Sequence, residues 1–318
     1  MKKAAFILMT KISITYAKDV KYGSATFGDY LRYAMQKNNI RCEKVVGLRL
    51  KKVLNFWFDN HNFILLVHPS IKYMLLLLFV SKRVVITHHN CTATELNNWN
   101  RIRSNISFWL CGFFYNVSVS QFVADTLPFH SEVIRNRVPG SIFSTQLTNT
   151  DALKQYDFGF FASLRNSKGL DVFLNLVEQL PDYTFLICGD GECRDAVESA
   201  VVNLKNLTYV GFVAPADVHE RMRSCKVAIC PYIAEPFGLT PLEAYLCGCN
   251  IVYRHEGGLI EAMQGLHCYP VEGSRLSDWA DASLKALAVG PTNFSDDNWQ
   301  FSDHLFAKDY HDYFISIS

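Results

Sequence analysis

Short apolar runs of four to seven residues alternate with longer amphipathic segments along the whole chain. In the first half AAFILMT, CEKVVGL, FILLVH, RVVIT, NVSVS and EVIR have the β-branched, apolar character of buried strands. In the second half YDFGFFA, YTFLICG, LTYVG, KVAIC, NIVYR and HCYP do. Between the first set lie FGDYLRYAMQKN, IKYMLLLLFV, WNRIRSNISFWLCGFFY and SQFVADTL, with helical spacing. Between the second set lie KGLDVFLNLVEQL, CRDAVESAVVNL, ADVHERMRS, TPLEAYLC and LIEAMQ. Strands apolar on both faces, separated by helices, predict parallel sheets covered on both sides, an α/β doubly wound architecture. The alternation runs twice, with the polar, turn-rich NRVPGSIFSTQLTNTD between. This predicts one domain over 1–145 and a second over 146–299. At the C-terminus Trp299, Phe301, Leu305, Phe306, Tyr310, Tyr313 and Phe314 recur near helical spacing, so 300–318 reads as a packed helix rather than a tail.

Charge sharpens the division. The net charge is +1, yet residues 1–145 hold 19 lysines and arginines against 7 acids, and residues 146–318 hold 12 against 23. A basic half suits an anionic surface such as lipid headgroups or a phosphorylated ligand; an uneven but ordinary solvated surface gives the same numbers. The 10 cysteines include no C-x-x-C pair and no matching histidine cluster, so a zinc site is not expected. Most sit in apolar runs, as small core residues of a reducing compartment. MKKAAFILMTKISITYA imitates a signal peptide, but Lys11 interrupts the apolar run, and it reads as a first buried strand. YMLLLLFV is too short to cross a bilayer, which takes about 20 apolar residues.

In open α/β sheets ligands sit beyond the carboxyl ends of the strands, so the residues after each strand carry the chemistry. SLRNSKG places Arg165 and Lys168 just before a helix, where cations and unpaired N–H groups suit a diphosphate. AEPFGLTPLEAYLC repeats the arrangement. Thr240 is a candidate N-cap, Pro241 suits the first turn, and Glu243 stands at capping-box spacing from Thr240. Gly238 permits close backbone approach to a ligand. Glu235 and Glu243 flank this turn eight residues apart; a capped surface helix with two solvated carboxylates is the plain alternative. The GDG after YTFLIC reads at least as well as a simple turn.

These stretches together resemble the retaining GT-B glycosyltransferases of family 4. E-PFGLTPL-E resembles that family's E-x7-E motif, AYLCGCNIV its continuation, and GGLIE its GG-x-P-E loop. FFASLRNSKGLDVFLNLVEQL with YTFLICGDGECR resembles its G-R-L-x-x-x-K-G and G-D-G segments. YGSATFGDYLRYAMQK, ITHHN, VSVSQFVADTL and VIRNRVPGSIF resemble, in order, its glycine-rich loop, histidine-bearing strand end and two later motifs. The resemblance implies two Rossmann-like domains facing across a cleft, the second holding a nucleotide-diphosphate sugar and the first an acceptor, with the last helix packing back on the first domain. It assigns catalytic roles to His89, Lys168 and Glu235. It implies donor contacts at Gly23, Val213, Phe237, Gly238, Leu239, Thr240 and Glu243, to which the residue pattern adds Arg165.

Two departures stand out. Ala162-Ser163 replaces the family's Gly-Arg, leaving Arg165 as the candidate substitute for the phosphate-binding arginine, and NRVP replaces N-G-V-D. His88 and His89 both compete for the histidine role, and alternation along a strand lets only one face the ligand. No D-x-D motif occurs, so no metal or other cofactor is expected. The implied partners are a nucleotide sugar, a glycan or lipid-linked glycan acceptor and an anionic membrane surface, with no nucleic acid. The implied setting is cytoplasmic, at the inner membrane face, in assembly of a surface polysaccharide such as lipopolysaccharide or capsule. A non-catalytic partner subunit and a nucleotide-sugar epimerase on the same fold are the alternatives. A dinucleotide dehydrogenase is disfavoured because CGDGEC lacks the third glycine of G-x-G-x-x-G.

Overall fold

Twelve short strands, all parallel to their neighbours, form two six-stranded sheets in a computed structural model that describes residues 11–16, 24–46, 62–67, 71–78, 84–90, 98–140, 154–290 and 302–318. The chain divides into Met1–Pro139 with Gln300–Ser318, and Gly140–Trp299. The break therefore falls at 139/140, where the residue pattern puts it after 145.

The first unit contains β1 (Lys11–Tyr16), α1 (Ser24–Lys37), β2 (Arg41–Val46), β3 (Asn62–Leu66), α2 (Ile71–Leu77), β4 (Val84–His88), α3 (Asn98–Cys111), β5 (Tyr115–Ser118), α4 (Gln121–Asp125) and β6 (Glu132–Val133). The sheet order is β2-β1-β3-β4-β5-β6. The first described strand is KISITY; AAFILMT, expected to form it, lies outside the described residues. Residues 63–66 of β3 and all of β4 are buried, in keeping with their largely apolar sequences. Ile64, Leu66, Val84 and Ile86 pack with Met74 and Leu77 of α2 and Leu110, Cys111 and Phe114 around the end of α3.

The second unit contains β7 (Tyr156–Phe161), α5 (Leu170–Gln179), β8 (Phe185–Cys188), α6 (Arg194–Asn203), β9 (Leu207–Tyr209), α7 (Pro215–Arg223), β10 (Cys225–Cys230), α8 (Leu239–Leu246), β11 (Asn250–Arg254), α9 (Gly258–Met263), β12 (Tyr269–Val271) and α10 (Leu276–Ala288). α10 is an element the apolar pattern missed. Its inward positions are Trp279, Ala280, Ser283 and Ala286, and three small residues leave only one strong apolar signal. Asn250 donates to the Ala286 and Val289 carbonyls at 2.8 and 3.1 Å and so ties down its last turn.

α11 (Asp303–Ser316) closes the first unit, although it comes last in the chain. The Ser302 hydroxyl accepts from the Leu305 N–H and caps it. Phe306 and Tyr310 lie 5.8 and 6.2 Å from the Phe27 ring, and Phe314 lies 4.8 Å from Phe63. Arg137 pairs with Asp309 on the same helix.

The sheet order of the second unit, β12-β11-β10-β7-β8-β9, sets its functional geography. β8 and β9 lie to one side of β7 and β10 to the other. The order reverses between β7 and β10, and the crevice beyond their carboxyl ends is where open α/β sheets bind ligands.

Candidate active site

Both loops at that reversal carry charged residues singled out in the sequence. After β7 the chain makes a short 3-10 turn, Asn166–Lys168, entered from Arg165 in extended conformation and left through Gly169 in the left-handed region. Arg165 is exposed on this turn, and Lys168 is half-buried. After β10 the chain passes Pro231, Tyr232 and Ile233 to Glu235. The Ile233 N–H donates to the Ser167 carbonyl at 2.8 Å, binding the two loops together. Lys168 consequently pairs with Glu235, its Nζ donating to the carboxylate. The Lys168 ammonium also stands 4.6 Å above the Tyr232 ring, an attractive cation–π placement. Tyr232 is buried and donates its hydroxyl to the Phe161 carbonyl at 2.9 Å. Burial pushes its phenol well above the ordinary value, and the Cys230 thiol, Glu235 and Glu243 add to the rise.

The helix after Glu235 starts earlier than the capping motif suggests. Gly238, at φ 107°, is the N-cap, and Thr240 and Pro241 are the second and third helical residues. The Thr240 cap and the capping box with Glu243 are therefore not formed. No side chain caps this helix start. The chain instead enters through a buried glycine pressed against Leu259, where a Cβ would sit 2.6 Å from Leu259 Cδ2. Pro241 is tolerated because N–H groups of the first turn have no intrahelical acceptor anyway. Glu243 falls one turn further in and is 7% exposed, so it is not the solvated carboxylate of the plain alternative. Phe237 is also buried, at 2% exposure, whereas Leu239 and Thr240 are half-exposed beside the helix start.

The GGLIE loop supports this entry. The Gly258 N–H donates to the Glu235 carbonyl at 2.8 Å. A Cβ on Gly258 would lie 2.0 Å from the Pro236 oxygen, so the two loops touch backbone to backbone. The Glu256 carboxylate accepts the Ala234 N–H at 3.1 Å. Ala234 has φ 48°, an uncommon conformation for a residue with a Cβ. Glu256 and Tyr232 are the supporting residues that sequence reasoning overlooked; the one available hint was their adjacency to GG and to the end of KVAIC.

The GDG segment is more than a turn. The Leu164 N–H donates to the Asp190 carbonyl at 3.0 Å, and the Cys193 N–H to the Leu164 carbonyl at 3.0 Å. A Cβ on Gly189 would meet the Ala162 oxygen at 1.8 Å. Those glycines let the β8 end lie directly against the loop that bears Arg165. Gly189 also donates to the Gly211 carbonyl at 2.9 Å, which links the segment to the loop holding half-buried Val213.

In the first unit β4 ends at His88 and His89. His88 is 3% exposed, with Nε2 2.9 Å from Asn116 Oδ1. The Asn116 amide nitrogen already donates to the Cys111 and Phe114 carbonyls, so its oxygen accepts and His88 donates. His88 is a core histidine. His89 is half-buried, edge-on to Phe27 at 4.3 Å, with Nε2 3.1 Å from the Thr87 hydroxyl. Gly23 lies outside the described residues. Among the described residues no group of three histidines, cysteines or acids could hold a metal ion.

Residues 155–288 match the family described as Glycosyl transferases group 1. The chain is 30% identical over 177 residues to a D-inositol 3-phosphate glycosyltransferase of Corynebacterium jeikeium, covering 48% of this chain and 42% of that one. It is 27% identical over 138 residues to an uncharacterized glycosyltransferase of Methanocaldococcus jannaschii, covering 38% and 35%. The chain thus spans less than half the length of these curated relatives. Among solved structures, Anabaena HepE in complex with UDP and glucose superposes with TM-score 0.69 at 17% identity, over 97% of both chains. The apo lipopolysaccharide outer core galactosyltransferase WaaB superposes with TM-score 0.65 at 13% identity, over 96% of this chain and 99% of that one. The fold is that of the GT-B glycosyltransferases, with two Rossmann-like units.

Proposed function

We propose that the protein is a retaining glycosyltransferase that moves a sugar from a nucleotide-diphosphate donor to a hydroxyl acceptor. The carrying observation is the Lys168–Glu235 pair at the strand-order reversal, beside the uncapped start of α8. An uncapped helix start and a fixed ammonium form a site for anions. A diphosphate would draw Lys168 from Glu235 and leave under its stabilisation together with the N–H groups of Leu239 and Thr240. Arg165, exposed on the adjoining turn, is available to the same phosphates. Glu235, released from its ion pair, would accept hydrogen bonds from hydroxyls of the transferred sugar. Glu243, buried against the same elements, would accept those of a ribose diol. Phe237 and Gly238 shape the backbone around the sugar, and Val213 borders the nucleotide end. On this reading the acceptor hydroxyl attacks on the face the diphosphate leaves, and the departing phosphate takes its proton. Of the two histidines at the end of β4, His89 is the one with access to solvent and takes the sugar-contacting role. Gly23 keeps its expected donor role.

The site needs no metal in this mechanism, because Lys168 and the helix start meet the diphosphate charge. A glycan or lipid-linked glycan is the proposed acceptor, in surface-polysaccharide assembly at the inner face of the cytoplasmic membrane. The UDP and glucose bound by HepE support the donor class; the +12 charge of residues 1–145 supports an anionic acceptor. Titration calorimetry with UDP-glucose and other nucleotide sugars, with and without chelator, tests the donor half. Glu243→Ala should weaken binding by about 1–3 kcal/mol, the scale of a hydrogen bond to a charged group. Unchanged affinity in the folded variant removes Glu243 from the site. NMR of the product anomer tests retention; binding without turnover on any hydroxyl acceptor would favour the partner-subunit reading.

A further inference from the structure

The second half of α3 is apolar on two sides. Leu110 and Cys111, with Phe114 just beyond, face the core and are buried. Ile106 and Trp109 on its outward side, with Phe113 in the turn just past its end, are 47%, 67% and 52% exposed. The Trp109 and Phe113 rings contact each other edge-on at 5.0 Å. α2 packs beside α3 and exposes Lys72 and Leu75, the latter at 51%. A helix apolar on its outward face as well as its inward face calls for something to cover it.

We propose that this ridge, Ile106, Trp109 and Phe113 with Lys72 and Leu75 of α2, docks on an anionic lipid surface. The charge of the unit selects that occupant. Residues 1–139 and 300–318 carry 20 lysines and arginines against 10 acids, a surplus of +10, and α3 itself carries Arg101 and Arg103 in its sequence. Anionic headgroups complement such a unit, while a second copy of it would be repelled. The area points the same way. The four apolar side chains of the ridge offer on the order of 400 Å², short of the roughly 800 Å² per partner of a stable protein interface. A ridge that small suits shallow insertion, where indole and phenyl rings seat at headgroup level beside cations. No helix among the described residues is long and apolar enough to cross a membrane. The inference deepens the lipid-linked acceptor of the proposed function and rests on that reading only for its purpose; the surface itself is tested without substrate.

The test is sedimentation of the whole chain with phosphatidylcholine vesicles, and with phosphatidylcholine vesicles containing phosphatidylglycerol, at low and high salt. The expected result is pelleting with the anionic vesicles alone, lost at high salt. The Ile106→Ser/Trp109→Ser/Phe113→Ser variant, at unchanged melting temperature, should bind about tenfold more weakly. Should that variant fail to fold, Trp109→Ser and Lys72→Glu, each at a single exposed position, carry the same expectation in smaller measure. Equal binding by folded variants would overturn the ridge, as would equal pelleting with neutral vesicles or no pelleting at all. A concentration-dependent dimer that the variant abolishes would assign the ridge to self-association and overturn the lipid. Failure here leaves nucleotide-sugar binding by the second unit intact, and failure of that binding leaves this result intact.

Discussion

Gly258→Ala is a stringent test of the site because it adds one methyl group and alters no charge. The added Cβ would lie 2.0 Å from the Pro236 oxygen, 2.4 Å from its carbonyl carbon and 2.8 Å from Phe237 Cα. All three are backbone atoms, so no side chain can swing aside. Pro236 and Phe237 must retreat by about 1 Å or more to reach tolerable contact. That retreat stretches the 2.8 Å bond from the Gly258 N–H to the Glu235 carbonyl and shifts the start of α8. Overpacking of this kind costs about 1–3 kcal/mol, and the lost hydrogen bond adds about 1 kcal/mol. The total is about 2–4 kcal/mol of stability. Misplacing a binding group by about 1 Å costs on the order of a hundredfold in rate, so donor binding and turnover should fall beyond the loss of stability. Gly290→Ala is the control: nothing stands within 4 Å of its Cβ and its backbone is not left-handed, so melting should hold or rise slightly. Differential scanning fluorimetry and calorimetry with UDP-glucose read the two effects. A Gly258→Ala protein that melts and binds like the parent would refute the reasoning that the glycine loop positions the Glu235 turn.

Further outcomes follow from single contacts. Lys168→Ala should lower sugar transfer by about 10²–10³-fold, as loss of a charge-stabilising donor does, with little change in melting; a retained rate would take Lys168 out of the mechanism. Tyr310→Phe should raise stability by about 1 kcal/mol, because the Tyr310 hydroxyl is buried without a hydrogen-bond partner among the described residues; a lower melting temperature would mean the hydroxyl is bonded. Removing residues 302–318 should leave the first unit insoluble, since Phe306, Tyr310 and Phe314 are each buried and each contribute about 2–3 kcal/mol; a soluble truncation melting like the parent would contradict that packing. Burial, aided by the Arg223 guanidinium, holds His219 down at about 4 against an ordinary 6.5. The unfolded chain therefore takes up that proton first, and stability present above pH 6.5 drains away as pH falls toward 4. His219→Gln should flatten this part of the pH–stability profile, and an unchanged slope would show that His219 is not its source.

The sequence by itself determined the kind and order of most elements. Runs such as NIVYR and KVAIC are too apolar on both faces to be anything but covered parallel strands, and the structure has β11 at Asn250–Arg254 and β10 at Cys225–Cys230. The spacing of Phe306, Tyr310 and Phe314 announced a helix that must be covered, and they are buried in α11. It also marked Lys168, Glu235 and Glu243 as residues following strands at helix starts. Local pattern failed where contacts between distant segments decide the outcome. The start of α8 moved from Thr240 to Gly238 because Leu259 and Gly258, some twenty residues on, hold the entering chain. α10 went unseen because it buries alanines and a serine under one tryptophan, and two of the strands it packs against, β10 and β11, lie far earlier in the chain. His88 and His89 are chemically identical along the chain; Asn116, on the neighbouring strand, makes one a core residue, while the other is left half-buried against Phe27. Glu235 and Lys168 stand 67 residues apart, and no spacing rule joins them. Their pairing comes from the strand order, which brings the ends of β7 and β10 side by side, a property of the folded sheet alone.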